Sequence, residues 1–210
     1  MQAVRQLVIA TGNPKKGGEM IAILGEALSG LDIEILTLAE FPDADSDVEE
    51  TGTTFAENAA IKARAAVAST GRVCIADDGG LCIDALGGEP GLHSKRFLGA
   101  DASFPEKMTR IIELMQEAPD EERTCRFQCA VAICTPDGAL YECSGKCEGR
   151  IARVMRGTHG FGYDPLVLLP EDGRHMAELA PEEKHKISHR GRALACATGI
   201  LKQIFNGRGE

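Results

Sequence analysis

The chain has 210 residues, a net charge of −9 and a hydrophobic fraction of 43%, which is typical of a globular protein with one domain or one two-lobed domain. The acidic excess argues against broad binding to DNA or RNA, because such binding needs a basic surface. No apolar stretch approaches the roughly 20 residues of a transmembrane helix, and the N-terminal segment lacks the apolar region of a signal peptide. We therefore expect a cytoplasmic protein with no membrane partner.

The first pattern in chain order is an apolar strand from Val4 to Ala10, followed by the segment Thr11-Gly12-Asn13-Pro14-Lys15-Lys16. Asn is a preferred N-cap and Pro a preferred first helical residue, so we expect a helix to begin at Pro14. Free N–H groups, the helix dipole and two lysines favour an anion at this point. The segment matches neither the P-loop nor the dinucleotide-binding glycine pattern, so it does not identify the anion.

A second strand within Leu31 to Leu38 leads into the acidic loop Asp43 to Glu50, which we interpret as mostly solvated surface. The next element is an alanine-rich helix from about Phe55 to Ser69, with Gly71 placed to end it. The order strand, helix, strand is typical of a parallel α/β unit.

Four polar residues distinguish this helix. Thr54 and Glu57 have the spacing of a capping box. Asn58 and Lys62 lie four residues apart and share one helix face. That face is either an exposed polar stripe or part of a site.

The apolar strand Val73 to Ala76 runs directly into Asp77-Asp78-Gly79-Gly80. Adjacent carboxylates ionise together only where a cation or hydrogen bonds compensate their repulsion. The two glycines allow a sharp turn or the close approach of a ligand. The segment is therefore either an acidic turn or a ligand site at a strand end.

The second half of the chain predicts a different kind of strand pairing. A helix from Phe104 to Gln116 is followed by strand patterns from Arg123 to Cys134 and from Leu140 to Cys147. The turn sequence Thr135-Pro136-Asp137-Gly138 separates them and favours an antiparallel hairpin. A mixed sheet or a second lobe follows from this pairing.

A glycine-rich segment from Gly157 to Pro165 contains Phe161 and Tyr163 and precedes a short strand from Leu166 to Leu169. An aromatic side chain in such a loop can stack on a nucleobase, but it can equally be a packed lid.

The segment Lys184 to Arg190 precedes the last helix pattern. Ser188 is a suitable N-cap, which places His189 and Arg190 in the first helical turn. Cations at that end oppose the helix dipole, so we interpret them as partners of an anionic ligand.

The eight cysteines include no C-x-x-C pair and occur without a secretory context, so we expect no disulfide and interpret the strand cysteines as small hydrophobic residues. A zinc site that uses Cys143 and Cys147 is the alternative.

With these motifs collected, the sequence closely resembles the inosine triphosphate and non-canonical purine triphosphate pyrophosphatases, the Ham1-like proteins. The matching segments are Ala10-Thr-Gly-Asn13 with Lys16, Glu49 to Asn58 with Lys62 to Arg64, Ala76 to Leu81, Gly87 to Gly91 with Ser94 to Arg96, Gly160 to Pro165, and Ala177 to Leu179 with Lys184 and Ile187 to Arg190. Each segment alone is weak evidence for the family. Six segments in the family's order, over nearly the whole chain, are highly specific evidence for it.

The resemblance implies an α/β fold, elongated and two-lobed, with a long central mixed β-sheet flanked by helices and an active site in the cleft between the lobes. Residues 1–210 would form a single domain of this type. The implied activity is hydrolysis of ITP, dITP and XTP to the monophosphate and pyrophosphate, which cleanses the nucleotide pool. Mg²⁺ is the implied cofactor and a homodimer the implied assembly.

The resemblance also assigns residues. Asp78 is the expected general base, and Glu49 and Asp78 are the expected metal ligands. The expected substrate-binding residues are Thr11, Gly12, Asn13, Pro14, Lys15, Lys16, Lys62, Gly79, Phe161, Gly162, Tyr163, Asp164, Lys184, His189 and Arg190. Among them, the first six and Lys62 are expected to hold phosphates, and the last three are expected to recognise a 6-keto purine.

One departure from the family pattern concerns Gly79, because the family usually has serine there. We expect activity to survive with weaker substrate binding. Two other hypotheses remain: a nucleotide-binding regulatory protein that has lost catalysis, and a metal-dependent phosphatase that releases orthophosphate. The intact Glu49, Asp78 and Lys62 favour the pyrophosphatase over the first, and the order of the motifs favours it over the second.

Overall fold

The computed structural model describes residues 5–44 and 48–207 and has an α/β fold, as the sequence predicts. Residues 45–47 of the acidic loop lie outside the described residues. The strands are β1 Arg5–Ile9, β2 Ile33–Thr37, β3 Val73–Ile83, β4 Thr124–Cys134, β5 Leu140–Ile151 and β6 Val167–Leu168. The helices are α1 Pro14–Ala27, α2 Phe55–Thr70, α3 Phe104–Leu114, α4 Pro181–Ile187 and α5 His189–Asn206. Over these residues, no helix combines the length and apolar character of a membrane span.

The strands form one sheet in the order β2-β1-β3-β4-β5-β6. β1 is parallel to both β2 and β3, whereas β5 and β6 are antiparallel. β4 and β5 are neighbours joined by a short turn, and so short a connection allows only an antiparallel pair. The predicted mixed sheet is therefore confirmed.

The chain divides into two compact units. Unit 1 comprises residues 1–78, 129–145 and 190–210, and unit 2 comprises residues 79–128 and 146–189. The description of residues 1–210 as a single two-lobed domain stays a prediction.

Alternation along the strands gives unit 1 two separate cores. Leu7, Ile9, Val73 and Ile75 belong to a cluster that includes side chains of α1 and α5. The intervening residues of β1 and β3, such as Val8 and Cys74, belong to a second cluster with the alanines of α2. Successive side chains of a strand point to opposite faces of the sheet, so each face of β1 and β3 has its own helices.

The core of unit 2 is a third cluster, built from β3, α3, β4, β5 and the residues around β6. Leu81, Ile111 and Leu166 are fully buried there. Tyr163, from the glycine-rich segment, is part of this core and is only 3% exposed.

The acidic turn at Asp77 to Gly80, one of the two alternatives for this segment, does not form, because β3 continues through these residues to Ile83. Gly80 is needed for packing instead. A Cβ atom at this position would lie 2.3 Å from the Gly91 carbonyl oxygen and 2.4 Å from Ser94 Oγ. The Ser94 hydroxyl also accepts a hydrogen bond from the Leu81 N–H at 3.0 Å. A strand can thus contain two consecutive glycines where another segment packs directly on its backbone.

The expectation that the cysteines form no disulfide is wrong for one pair. Cys143 of β5 and Cys196 of α5 form a disulfide with Cα atoms 6.0 Å apart. Their separation of 53 residues leaves no local sequence signal for the pairing. The other six cysteines are buried free thiols, and no group of three or more metal-ligating side chains occurs in the described part of the chain.

The disulfide should contribute to stability by restricting the unfolded chain. For a separation of 53 residues, the loss of chain entropy corresponds to about 4 kcal/mol of unfolding free energy. The double variant Cys143→Ser, Cys196→Ser should be less stable by about that amount in urea denaturation without reductant. Reduced wild-type protein is the matched control and should unfold at the same urea concentration as the double variant. A wild-type stability that does not respond to reductant would contradict the contribution.

Candidate functional site

Two adjacent carboxylates of β3, Asp77 and Asp78, are the centre of the site in unit 1. Both are buried, with exposed fractions of 1% and 7%. Residues 73 and 75 pack with α1 and α5, whereas residues 74 and 76 pack with α2. The same alternation directs Asp77 to the α1 and α5 face and Asp78 to the α2 face.

Asp78 is held by polar side chains of α2. Asn58 Nδ2 donates to Asp78 Oδ2 at 3.2 Å, and Lys62 Nζ lies 3.5 Å from Asp78 Oδ1. The Asn58 Oδ1 atom accepts a hydrogen bond from the Gly52 N–H at 2.8 Å, which fixes the orientation of the amide. Lys62 Nζ also forms a salt bridge with Glu50 Oε1 at 2.8 Å. The shared face of Asn58 and Lys62 is therefore not an exposed stripe, because it contacts the carboxylates of Asp78 and Glu50.

The start of α2 places these residues. Thr54 Oγ1 accepts the Glu57 N–H at 3.1 Å, as in the predicted capping box. The Glu57 carboxylate, however, accepts the N–H of Thr53 at 2.6 Å and not that of Thr54. Only half of the predicted box is thus present, and the carboxylate instead orders the residue before the cap.

The environment of Asp78 raises the pKa of its carboxyl group. Burial raises the pKa of Asp78 and Glu50 adds to that rise, whereas Lys62, Lys16 and the Asn58 hydrogen bond oppose it. Burial lowers the pKa of Lys62, but Asp78, Asp77 and Glu50 outweigh burial and raise it overall. Asp78 is consequently a carboxylate with increased basicity beside a lysine that stays protonated.

Asp77 has the opposite environment. Arg190 Nη2 and Nε donate to Asp77 Oδ2 at 2.8 and 3.1 Å, and Lys16 Nζ lies 3.5 Å from the same oxygen. Burial works to raise the pKa of Asp77, but Lys16, Arg190 and Lys62 outweigh burial and lower it. The other oxygen, Oδ1, is buried and has no hydrogen-bond partner among the described residues.

The partners of Arg190 differ from those that we expected from the sequence. Arg190 Nη1 donates to Glu19 Oε2 of α1 at 2.7 Å, and the residue is only 2% exposed. Each of its three guanidinium nitrogens therefore donates to a carboxylate of this protein. The Arg190 cation in the first turn of α5 is accommodated here by Asp77 and Glu19, and it needs no external anion.

The N-terminus of α1 forms as the sequence predicts. The helix begins at Pro14, and Asn13 Oδ1 accepts the N–H groups of Lys15 and Lys16 at 3.0 and 3.3 Å. Thr11 Oγ1 accepts the N–H of Asn13 at 3.2 Å. Gly12 and Lys15 are exposed, so a backbone N–H and an ammonium group are accessible at this end of the helix.

A second group of predicted site residues lies in unit 2. Asp164 Oδ2 accepts hydrogen bonds from the Phe161 N–H at 2.8 Å and from Lys184 Nζ at 2.7 Å. Lys184 Nζ also lies 4.8 Å from the centre of the Phe161 ring, within the range of a cation–π contact. Gly160 has φ +73°, and a Cβ there would lie 2.1 Å from Asp164 Oδ2, so the loop requires glycine at this position.

Two of the expected base-binding side chains are mainly core residues. The Tyr163 hydroxyl donates to the Ser94 carbonyl oxygen at 2.9 Å, and its ring contacts Phe104 edge to face. Burial raises the pKa of Tyr163. His189 stacks on Phe127 with ring centres 4.8 Å apart. Of the two aromatics in the glycine-rich segment, Phe161 is the more accessible.

The structure thus brings together Asp78, Lys62 and Asn58, and separately Asp77, Lys16 and Arg190. The expected metal ligand Glu49 is exposed, whereas its neighbour Glu50 contacts Lys62. Sequence reasoning also missed Glu19. Its signal was the spacing from Lys16, since residues three apart share a helix face.

The donor set around Asp78 suits a hard divalent cation. Asp78 and Glu50 both contact Lys62 Nζ, so their carboxylates lie near a common point. The described residues contain no cluster of three or more metal-ligating side chains. Mg²⁺ is compatible with this set, because it commonly takes one or two carboxylates and completes its shell with substrate phosphates and water.

The chain is similar to known proteins over nearly its whole length. The model of the Ham1 family matches residues 7–198. A protein of Geobacillus kaustophilus named dITP/XTP pyrophosphatase is 45% identical over 207 residues, which cover 99% of each chain. A protein of the same name from Geobacter sulfurreducens is 47% identical over 204 residues, 97% of this chain and 98% of the relative.

Solved structures agree as well. A Ham1 protein from Coxiella burnetii has a TM-score of 0.85 and 41% identity, and the match covers 95% of this chain and 99% of the other. The Ham1 protein of Staphylococcus aureus has a TM-score of 0.81 at 34% identity, with 94% and 98% covered.

The contacts of Asp77 predict its contribution to stability. Asp77→Asn should lower the unfolding free energy at pH 7 by about 3–5 kcal/mol, because it leaves the buried Arg190 without a full counter-charge. The folded-state pKa of Asp77 is lowered, so its stabilisation is complete above the unfolded value of about 3.9 and is lost as pH falls below it.

Urea denaturation from pH 7 to pH 3 measures both effects. The difference between wild type and Asp77→Asn should shrink below about pH 4. Asp43→Asn, at an exposed position, is the control and should change little. A difference that is constant with pH would contradict an ionised Asp77.

Proposed function

The chain belongs to the Ham1 family, and from this premise we propose that it hydrolyses non-canonical purine nucleoside triphosphates, ITP, dITP and XTP, to the nucleoside monophosphate and pyrophosphate. Relatives of nearly the same length carry the name dITP/XTP pyrophosphatase. The observation that carries the proposal is the buried Asp78 carboxylate between Asn58 and Lys62. The chain would thus act as a hydrolase on an acid anhydride in nucleotide metabolism.

Asp78 is proposed as the general base. A water molecule would donate its proton to the Asp78 carboxylate while its oxygen bonds to a phosphorus of the α–β anhydride, and the anhydride bond would break to release pyrophosphate. The raised pKa of Asp78 supports this role, because proton transfer is most efficient when the pKa of the base approaches the working pH. The Asn58 amide would keep the carboxylate in its orientation.

The triphosphate would be held by cations on both faces of β3. The ammonium of Lys62 is next to Asp78, and that of Lys15 is exposed at the start of α1. Lys16 would contribute positive charge while it remains paired with Asp77. The phosphate site would be formed by the backbone of Thr11, Gly12, Asn13 and Pro14, because the N-terminal end of a helix favours anions.

The cofactor proposed is Mg²⁺, held by Asp78 and one of the two neighbouring glutamates. Bound there, it would neutralise phosphate charge and lower the pKa of its bound water. The contact of Glu50 with Lys62 supports Glu50 in place of Glu49.

Recognition of the purine is proposed for the loop from Phe161 to Asp164. Phe161 is partly exposed, and its ring would stack on the base. Lys184 and His189 would donate to the 6-keto oxygen. Adenine carries a 6-amino donor in that place and would be rejected donor against donor. For Arg190, we propose that it positions Asp77 and Glu19, in view of the three bonds that it already makes.

Gly79 bears on the competing idea of a regulatory protein that binds nucleotide without turnover. It is half-buried next to Asp78 and offers only its backbone to a substrate. The remaining machinery is intact, so we propose an active enzyme with weakened substrate contacts. A homodimer remains a proposal that rests on the family resemblance.

Hydrolysis can be tested directly with ITP, XTP, GTP and ATP in the presence of Mg²⁺, with pyrophosphate and orthophosphate measured separately. Pyrophosphate should form from ITP and XTP at rates well above those for GTP and ATP. Asp78→Asn should reduce kcat by roughly 10²–10⁴-fold, the usual contribution of a general base. Orthophosphate as the product would indicate a phosphatase. Tight ITP binding without product would indicate a regulatory protein.

The two glutamates can be separated by matched variants. Glu50→Gln should raise the Mg²⁺ concentration needed for half-maximal activity by about tenfold or more, since a neutral amide replaces a charged ligand. Glu49→Gln, at the exposed neighbouring position, should leave it unchanged. Mg²⁺-dependent activity is measured over a titration at saturating ITP. The reverse result would restore Glu49 as the ligand.

A further inference from the structure

A cavity of about 290 Å³ lies in unit 2 and includes none of the residues to which we assigned a role in hydrolysis. Four arginines line it, Arg123, Arg150, Arg153 and Arg156, and Asp120 supplies the carboxylate among its described lining residues. The lining is therefore rich in positive charge, although the whole chain carries −9. Apolar side chains such as Ile151 and Leu168 complete the wall.

Arg123 supplies positive charge that its own contacts do not neutralise. Its Nε donates to the Ile151 carbonyl oxygen at 2.8 Å, and its Nη atoms donate to the carbonyl oxygens of Met115 and Ala152. Backbone carbonyls satisfy hydrogen bonds, but they carry no net charge. Burial and the charge of Arg153 both lower the pKa of Arg123, whereas the charge of Asp120 opposes them in part. Two cations therefore lie close together here.

The other three arginines differ in their partners. Arg153 Nη2 donates to Asp120 Oδ1 at 2.8 Å, whereas Arg150 Nη1 donates to the Asp120 backbone carbonyl at 2.5 Å. Arg156 is exposed, and no described residue forms a hydrogen bond or ion pair with its guanidinium group. One guanidinium is consequently available to a ligand without breaking a contact of the folded protein.

A buried histidine also faces this cavity. His175 is 4% exposed, and its Nδ1 lies 2.7 Å from the Pro165 carbonyl oxygen. A carbonyl only accepts, so Nδ1 carries a proton, and in the neutral ring Nε2 is an acceptor that can take a hydrogen bond from a hydroxyl group of a ligand. The N–H of Arg156 donates to the same Pro165 oxygen at 3.0 Å. The cavity wall is thereby bonded to the residue that directly follows the loop from Phe161 to Asp164.

We propose that this cavity is a binding site for a small phosphate-bearing anion, with the guanidinium groups of Arg153 and Arg156 on the phosphate and His175 as a further polar contact. Guanidinium forks match phosphate oxygens in geometry as well as charge. The volume is at the low end of ligand sites, which suits inorganic pyrophosphate or a single nucleoside monophosphate. The apolar wall at Ile151 and Leu168 offers a surface to the organic part of the latter.

Site-resolved chemical modification tests the proposal on the wild-type protein. Phenylglyoxal reacts with accessible guanidinium groups, and mass spectrometry of peptides reports Arg153, Arg156 and Arg110 separately. Pyrophosphate or inosine monophosphate, added without metal, should protect Arg153 and Arg156. Arg110, on α3 and outside the cavity, should react at an unchanged rate. Protection by only one of the two compounds identifies the source of the phosphate.

Matched variants decide whether the protection arises in the cavity. With Arg156→Gln, the concentration of the protecting anion that halves modification of Arg153 should rise roughly tenfold, the loss expected for one charged hydrogen bond. Arg110→Gln, an exposed arginine whose side chain pairs with Glu113, should leave that concentration unchanged. Failure of both compounds to protect Arg153, or equal effects of the two variants, would overturn the proposal. The measurement reports the modification of individual arginines in the cavity and needs no turnover of nucleotide. The proposal can therefore fail while the proposed hydrolysis stands, and the reverse.

Discussion

The alternation of side chains along β3 is the constraint on which the site depends. Asp77 and Asp78 are adjacent in sequence, yet they contact different helices because successive residues of a strand point to opposite faces. Of the two carboxylates, Arg190 donates to Asp77 alone, whereas the charges of Lys16 and Lys62 act on both. The pKa of Asp77 is therefore lowered while that of Asp78 is raised. A turn at these residues would not have separated the two environments.

Much of the fold could be predicted because its signals are local. The N-cap Asn13, the helix stop at Gly71 and the hairpin turn at residues 135–138 each depend on a few neighbouring residues. The conformation of Asp77 to Gly80 could not be predicted in this way, because it depends on a residue distant in sequence. Two glycines suggest a turn, but Gly80 lies in a strand where only glycine leaves room for Ser94, and the sequence does not show that packing.

The site could be predicted as a set of residues but not as a set of contacts. The family motifs include Asp78, Lys62 and Lys184, and each has a charged partner in the structure. Arg190 reaches Asp77 across 113 residues and Glu19 across 171. No pattern along the chain reports such pairs. The cations of α5 were accordingly assigned to a ligand. Glu49 was assigned as a metal ligand from the family resemblance, which does not show the contact of Glu50 with Lys62.

Arginine has two distinct roles in this protein, and its acceptors distinguish them. Arg190 donates to two carboxylates and is buried as part of a nearly neutral group, so its charge serves the packing of α1, β3 and α5. Arg123 donates to three backbone carbonyls, which satisfy its N–H groups but carry no net charge, and the charge of Asp120 offsets that of Arg123 only in part. A buried cation that is not bonded to a counter-ion is costly unless another charge compensates it. The cavity beside Arg123 is where an anion would relieve that cost, which links the packing of unit 2 to its capacity for binding.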